Sequence, residues 1–97
     1  MSQQDSYQRQ LQLLDHMRSQ LNSLHGHVEG ARNNYNKQIK WLDSNGFMAE
    51  YTDRLDVKYQ RFSRLIDELN KCISHSIQVI DRHEGHVEEL RNDGGRE

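Results

Sequence analysis

Residues 40–47 read Lys-Trp-Leu-Asp-Ser-Asn-Gly-Phe, and the four residues at 43–46 all favour turns over helix. Asn45 and Gly46 readily adopt the left-handed backbone that ends a helix, and Ser44 or Asn45 can cap a helix that follows. A break this short makes the flanking helices antiparallel neighbours. The alternative is a kink in one long helix that pairs with other chains, but four turn-forming residues in succession favour a bend.

The segment before the turn carries an apolar or aromatic residue at every seventh position. This first set is Tyr7, Leu14, Leu21, Val28, Tyr35 and Leu42. A second set, three residues further on, is Met17, Leu24 and Ala31. Together they fill nine of the eleven positions of the repeat, broken only by Gln10 and Gln38. Chance would fill about four, so the pattern predicts a helix over about residues 5–42.

The segment after the turn repeats with the same period. Its first set is Tyr59, Ile66, Ile73, Ile80 and Val87, and its second set is Met48, Leu55, Phe62, Leu69 and Leu90. The polar exceptions are Thr52, Ser76 and His83. A seven-residue repeat kept over five or more heptads is typical of left-handed supercoiled helices. The pattern predicts a second helix over about residues 47–91 and a flexible tail at 92–97.

The sequence therefore predicts an all-α chain, a single domain over residues 1–97 that folds as a coiled-coil-like antiparallel two-helix hairpin. Its core would be the seam where the two apolar sets of each helix meet. Only 33% of the residues are apolar and 29% are charged, which suits one thin seam better than a multilayer core. The chain contains no Pro, so no ring interrupts either helix.

Both helices carry further apolar residues beside the predicted seam. They are Leu11, Leu13, Ile39 and Trp41 in the first helix and Tyr51, Leu65, Cys72, Ile77 and Val79 in the second. A stripe this wide is typical of helices that face more than one neighbour. We therefore expect these residues to form an interface through which two hairpins join into a four-helix bundle. The alternative is that they only widen the contact within one hairpin.

Composition argues against a nucleic-acid partner and against a membrane span. The net charge of −2 gives no overall attraction to phosphate backbones. A local basic group near the turn consists of Lys37, Lys40, Arg54, Lys58, Arg61 and Arg64. Solvated helix faces with ion pairs such as Glu50–Arg54 and Asp67–Lys71 are the simpler interpretation. No apolar run approaches the roughly 20 residues that span a bilayer.

The sequence also indicates a cytoplasmic protein or one that is exported without a cleaved signal peptide. The polar segment from Met1 to Gln12 is unlike a cleavable signal peptide. Cys72 is the only cysteine, so there is no disulfide framework within the chain. At mid-helix beside the seam, we expect this thiol to be buried and inert.

The sequence offers little that could carry chemistry. The two local histidine pairs, His25 with His27 and His83 with His86, lack the i,i+4 spacing of a helical zinc site. No Gly-rich phosphate loop or nucleophile elbow occurs, so we expect no metal, no cofactor and no catalysis. Gly26 and Gly30 lie within the first helix, either as tolerated flexible positions or as a place where another helix comes close.

The chain resembles the small Trp-x-Gly proteins of type VII secretion. The features that carry the resemblance are Trp41 and Gly46 at the turn, two helices, a length of about one hundred residues and no cleavable signal. The resemblance covers the architecture of residues 5–91 and implies hairpins that dimerise into four-helix bundles. It also implies export without a cleaved signal, sometimes as companions of larger toxins.

The chain departs from that family's short motifs in two places. Trp41 and Gly46 are separated by four residues rather than one. The family's C-terminal export signal, an aromatic residue or His followed four residues later by an acid, is missing from the second helix. No export residue carries over to this chain.

These observations predict a non-catalytic protein–protein interaction module that resembles a type VII secretion substrate or its companion chaperone. Its expected partner is a second copy, a similar helical hairpin protein or a larger helical protein. The alternative function is a cytosolic coiled-coil adaptor or assembly subunit with no role in secretion.

Overall fold

The computed structural model describes residues 2–95, and within that range the chain consists of two α-helices and no strand. Helix α1 runs over Gln3–Ser44 and helix α2 over Ala49–Gly95. The side chain of Gln4 donates a hydrogen bond to the carbonyl of Arg91 (3.1 Å), so the two helices run antiparallel. The predicted all-α hairpin is confirmed, and a single kinked helix is excluded.

The helix bounds differ from the predicted ones by a few residues. Helix α1 begins earlier because the Ser2 hydroxyl accepts a hydrogen bond from the Asp5 amide (3.2 Å) and so caps it. Helix α2 continues to Gly95, so the predicted tail is wrong for residues 92–95, while residues 96 and 97 lie outside the described range. Glycine costs a helix only about 1 kcal/mol and does not forbid it.

The turn between the helices is built around Gly46, whose φ is 80°. The Phe47 amide donates to the Leu42 carbonyl (3.0 Å), and the Gly46 amide donates to the Asp43 carbonyl (3.2 Å). This pair of hydrogen bonds is the Schellman arrangement, which satisfies the last carbonyls of a helix when a residue with positive φ follows it. The reversal of the chain is therefore specified locally, by one glycine and two backbone bonds.

Ser44 and Asn45 cap the end of α1 rather than the start of α2. The Ser44 hydroxyl (3.1 Å) and the Asn45 side-chain amide (2.8 Å) both donate to the Trp41 carbonyl. The first backbone acceptor of α2 is Met48, whose carbonyl accepts from the Tyr51 amide (2.9 Å). The expectation that Ser44 or Asn45 caps the second helix is wrong, because α2 begins two residues later than predicted.

Packing divides the hairpin into two compact units. The turn unit comprises residues 24–72, and its buried side chains are Ile39, Thr52 and Ile66. The terminal unit comprises the described residues up to Ser23 and from Ile73 onward. Its buried side chains are Ile73, Ile80 and Val87. In both units every described member of the first set is buried or half-buried, and the first set is the core.

The second set does not share this core as the sequence pattern predicted. Met17, Leu24, Ala31, Met48, Leu69 and Leu90 are exposed, and only Leu55 and Phe62 among its apolar members are half-buried. A third set, four residues after the first, faces the opposite helix instead. Its buried or half-buried members are Leu11, Arg18, Arg32, Ile39, Ser63, Asn70, Ile77, Glu84 and Arg91.

The contact side of each helix is thus rotated from the predicted second set to the third set. The reason is the chemistry of the third set. Several of its members are polar side chains that hydrogen-bond to the opposite helix, so their burial does not leave donors or acceptors unsatisfied. Among residues 2–95, no buried side-chain nitrogen or oxygen lacks a hydrogen-bond partner. Since two helices in contact hide only a narrow stripe of each, the second set is left on the outer side of the first.

Candidate interaction surface

The polar side of the terminal unit is held together by Arg18 of α1. Its guanidinium donates to Asp81 of α2 (2.6 Å), to Glu84 of α2 and to Asp15 of its own helix (3.1 Å). These hydrogen bonds, to Glu84 first and to Asp81 second, raise the pKa of Arg18 above its ordinary value. Arg18 therefore stays charged and links the two helices at this level.

The polar side of the turn unit is organised around Arg32. Its guanidinium donates to the Ser63 hydroxyl (3.0 Å) and the Asp67 carboxylate (2.6 Å) of α2, and to Glu29 of α1. The Asn70 side-chain amide donates to the same Glu29 carboxylate (2.7 Å). The Arg32 hydrogen bond is the main cause of a lowered pKa at Glu29, while partial burial opposes it.

An aromatic cluster forms the core of the turn unit next to this network. The ring of Tyr35 lies 5.6 Å from that of Tyr59 and 5.5 Å from that of Phe62, measured between centroids. Aromatic pairs at this spacing stabilise by about 0.5–1.5 kcal/mol beyond the area that they bury. The cluster fixes the position of Phe62 at the edge of the core.

The other side of the turn unit is an open apolar groove between α1 and α2. It has a volume of about 350 Å³ and almost wholly apolar walls, formed by Val28, Ala31, Phe62, Leu65, Ile66 and Leu69. Leu65 stands at its rim with 65% of its surface exposed, whereas its neighbour Ile66 is 4% exposed. We call this feature the apolar groove.

The terminal unit also exposes large apolar side chains. They are Leu13, Met17, Val79 and Leu90. Met17 and Leu90 belong to the second set, and Leu13 and Val79 lie at the position just before the first set. These are the same two rows of the repeat that supply Leu65 and Leu69 to the apolar groove.

The nine residues predicted to form the interface divide into two groups. Leu13, Trp41, Tyr51, Leu65, Cys72 and Val79 are exposed. Leu11 and Ile77 are half-buried and Ile39 is 8% exposed, because these three belong to the third set and face the opposite helix. Ile39 is part of the hairpin core rather than of an outer interface, which corrects the sequence interpretation.

Sequence reasoning also missed exposed residues that it had assigned to the core, above all Met17, Leu24 and Leu69. A signal for them was present in the charges. Arg18 and Arg32 lie four residues after members of the first set, as does Glu84 in α2. Opposite charges at matching positions of antiparallel helices indicate that this side is the closed one.

The exposed thiol and the histidines form no chemical centre among the described residues. Cys72 is exposed, so the expectation of a buried thiol is wrong. No group of three or more His, Cys, Asp or Glu side chains within residues 2–95 is arranged to hold a metal ion. The His25 ring instead lies 2.8 Å from the Asn70 side-chain oxygen. Neither helix, over the same residues, has a stretch long and apolar enough to cross a membrane.

No protein-family model, no curated protein and no solved structure matches this chain. The resemblance to the Trp-x-Gly proteins of type VII secretion therefore remains a prediction from the turn and the architecture.

Proposed function

We propose that this protein is a non-catalytic interaction module that pairs with a second helical hairpin, a copy of itself or a similar protein, to form a four-helix bundle. The observation that carries this proposal is the apolar groove, which lies open between two helices whose other side is closed by Arg32 and its partners. An open apolar groove on a small helical chain is typical of a protein–protein contact.

The energetics favour a partner on this side. Complete burial of one large aliphatic side chain contributes about 1.5–3 kcal/mol. Association costs about 4–15 kcal/mol in lost translational and rotational freedom, so several such side chains are needed. In the turn unit Leu24, Leu65 and Leu69 are exposed. A homodimer would bury these three side chains in both of its chains, six in all.

The polar side gives no comparable reason to associate. There Arg32, Glu29 and Asp67 already satisfy one another within the hairpin. A partner on that side would have to compete with existing ion pairs and would bury little apolar surface. A second hairpin therefore approaches through the apolar groove.

The more specific version of the proposal is a type VII secretion substrate or its companion chaperone. The exposed Trp41 next to the Gly46 turn and the hairpin itself support it. The five-residue step from Trp41 to Gly46 departs from the family motif, so the competing function is a coiled-coil adaptor or assembly subunit unrelated to secretion. A secretion ATPase or large toxin encoded beside this protein would favour the first function.

The mass of the purified chain, measured by sedimentation velocity together with its helicity by circular dichroism, tests the proposal. We expect the wild-type chain to sediment as a dimer. Leu65→Asp should keep its helicity but sediment as a monomer, because Leu65 is exposed at the groove rim. Ile66→Asp should lose helicity, because it buries an unpaired charge in the core.

Gln60→Asp is the matched control, since it adds the same charge to an exposed position outside the apolar groove. It should sediment like the wild type. If the wild-type chain is a monodisperse monomer, self-association is excluded and the partner is a different hairpin protein. Equal masses for Leu65→Asp and Gln60→Asp would show that the apolar groove is not the interface.

A further inference from the structure

A second, smaller pocket lies at the start of α2, next to the turn. Its volume is about 280 Å³, and its walls are formed by Phe47, Tyr51, Arg54, Leu55 and Lys58. It shares no lining residue with the apolar groove. The turn pocket is therefore a separate surface feature. We call this feature the turn pocket.

The turn pocket has an apolar floor made of two neighbouring aromatic rings. The rings of Phe47 and Tyr51 lie 5.9 Å apart between centroids. The Arg54 guanidinium lies 5.7 Å from the centroid of the Tyr51 ring, over its face. Phe47 itself is held by its backbone bond to Leu42 in the turn. The ring pair and the guanidinium over it give the pocket an apolar surface beside a cation.

The rim of the turn pocket is cationic. Arg54 and Lys58 line it, and Arg61 follows one helical turn further along the same side of α2. Arg54 pairs with Glu50 (3.0 Å), but within residues 2–95 neither Lys58 nor Arg61 has an ion-pair partner. The nearby carboxylates of Asp53 and Asp56 line a different pocket, with Asp43 and Thr52. Arg61 also lines a further open pocket, with Arg64, Leu65 and Glu68. The unpaired positive charge on this side is therefore that of Lys58 and Arg61.

We propose that the turn pocket and the cations beside it dock an acidic segment of a partner protein that carries one large apolar side chain. The apolar side chain occupies the space between Tyr51 and Leu55. Carboxylates that recur once per helical turn in the partner pair with Arg54, Lys58 and Arg61, which are four and three residues apart. Those seven residues rise about 10 Å along α2, roughly two turns of a partner helix.

Charge and wall chemistry select this partner over a single-stranded nucleic acid. Base stacking requires an open aromatic face, and Tyr51 already has Phe47 beside it and Arg54 over its ring. The walls of the turn pocket are mostly apolar, which fits an aliphatic or aromatic side chain. Its rim chemistry is that of a helix-in-groove contact with a charged edge.

Fluorescence anisotropy with the full chain tests the proposal. The probe is a fluorescein-labelled amphipathic helical peptide of Glu, Ala and Leu, with Glu one turn apart beside a single Leu stripe. A peptide with Lys in place of every Glu, and a labelled oligothymidine, are the comparison probes. We expect only the Glu peptide to bind, and its affinity to fall as salt is raised.

The decisive variant is the double substitution Lys58→Glu with Arg61→Glu, which should weaken the Glu peptide about tenfold or more by placing like charges together. The matched control is Lys71→Glu with Arg82→Glu, two exposed cations with no ion-pair partner in the described range. It should leave affinity unchanged, and circular dichroism should show equal helicity for both variants.

Several results would overturn the proposal. They are failure of the Glu peptide to bind, equal weakening by both double substitutions, and binding of the Lys peptide at least as tightly as the Glu peptide. Tighter binding of the oligothymidine would assign the surface to nucleic acid instead. Leu69→Asp alters the apolar groove, leaves every residue of the turn pocket unchanged and lies eight residues beyond Arg61. Glu-peptide binding by that variant therefore separates this surface from the bundle interface.

Discussion

At the scale of single residues, Glu29 is the carboxylate on which acid stability depends most clearly. Hydrogen bonds from Arg32 and then Asn70 lower its pKa below the ordinary 4.5. A lowered pKa in the folded state contributes stability above the unfolded pKa, and that stability disappears as the pH falls through the folded value. We predict that Glu29→Gln loses less stability than the wild type between pH 7 and pH values below 4.5.

Urea unfolding followed by circular dichroism at the two pH values measures this difference. Glu88→Gln is the control, because Glu88 pairs with Arg91 of its own helix (3.1 Å) and makes no such bridge to Asn70. Its loss on acidification should be closer to that of the wild type than to that of Glu29→Gln. If Glu29→Gln and the wild type lost the same stability, Glu29 would contribute nothing to the acid response.

Gly46 and Gly30 provide opposite tests of backbone conformation. Gly46 has a φ of 80°, so Gly46→Ala should cost about 1–2 kcal/mol from left-handed strain alone.

Gly30 lies inside α1, and a Cβ placed there would meet nothing within 4 Å. Gly30→Ala should therefore stabilise the chain by about 1 kcal/mol, the difference in helix preference.

The free energy of unfolding in urea decides both cases at one protein concentration. An unchanged stability for Gly46→Ala would contradict the turn geometry. The same Gly30→Ala variant also distinguishes the two sequence interpretations of Gly26 and Gly30. If it sediments at a lower mass than the wild type, another helix comes close at Gly30, whereas an unchanged mass indicates a tolerated flexible position.

At the scale of the helices, the sequence pattern predicts their existence and approximate bounds because a seven-residue period is a property of each helix alone. The pattern does not predict whether the second set or the third set joins the first set in the contact with the opposite helix. Apolar residues occur on both sides of the first set, Met17 on one side and Leu11 on the other. The choice depends on pairs such as Arg18 with Glu84, which exist only when both helices are present.

The same ambiguity explains the mixed outcome for the candidate interface. Ile39 and Leu24 look alike in one sequence, yet Ile39 is buried against the opposite helix and Leu24 is exposed. The rotation that exchanges their environments is set by long-range hydrogen bonds from Arg32 to Ser63 and Asp67. Such bonds join residues more than thirty positions apart, so no local period contains them.

A pair of substitutions in α1 tests this rotation. Met17→Gln should change the stability of the monomer by less than about 0.5 kcal/mol, because Met17 is 54% exposed. Leu21→Gln, four residues on in the half-buried first set, should cost about 1 kcal/mol or more. Helix preference does not confound the comparison, since Met, Leu and Gln have nearly equal propensities.

Both variants are unfolded in urea at protein concentrations low enough for the chain to be monomeric, so that an interface at Met17 does not contribute. An equal loss of unfolding free energy for Met17→Gln and Leu21→Gln would show that Met17 is part of the core. A larger loss for Met17→Gln would place the second set, rather than the third, between the helices.

At the scale of the whole molecule, stability and assembly are linked by mass action. A partner that binds only the folded chain raises the apparent stability with the logarithm of its concentration relative to the dissociation constant. A chain with 33% apolar residues and one narrow core has little stability of its own to conceal this effect. The dependence of unfolding on concentration is therefore a direct readout of self-association.

We predict that the thermal midpoint rises with protein concentration, by several degrees over a hundredfold range, because that range adds about 2.7 kcal/mol of linkage once dimers predominate. Leu69→Asp should abolish the rise, since Leu69 lines the apolar groove and is exposed in the single hairpin. Val57→Asp is the control, as Val57 is also apolar and exposed but lies outside the apolar groove. A thermal midpoint that stays constant for the wild type would mean that the chain folds alone. The apolar groove would then bind a different protein.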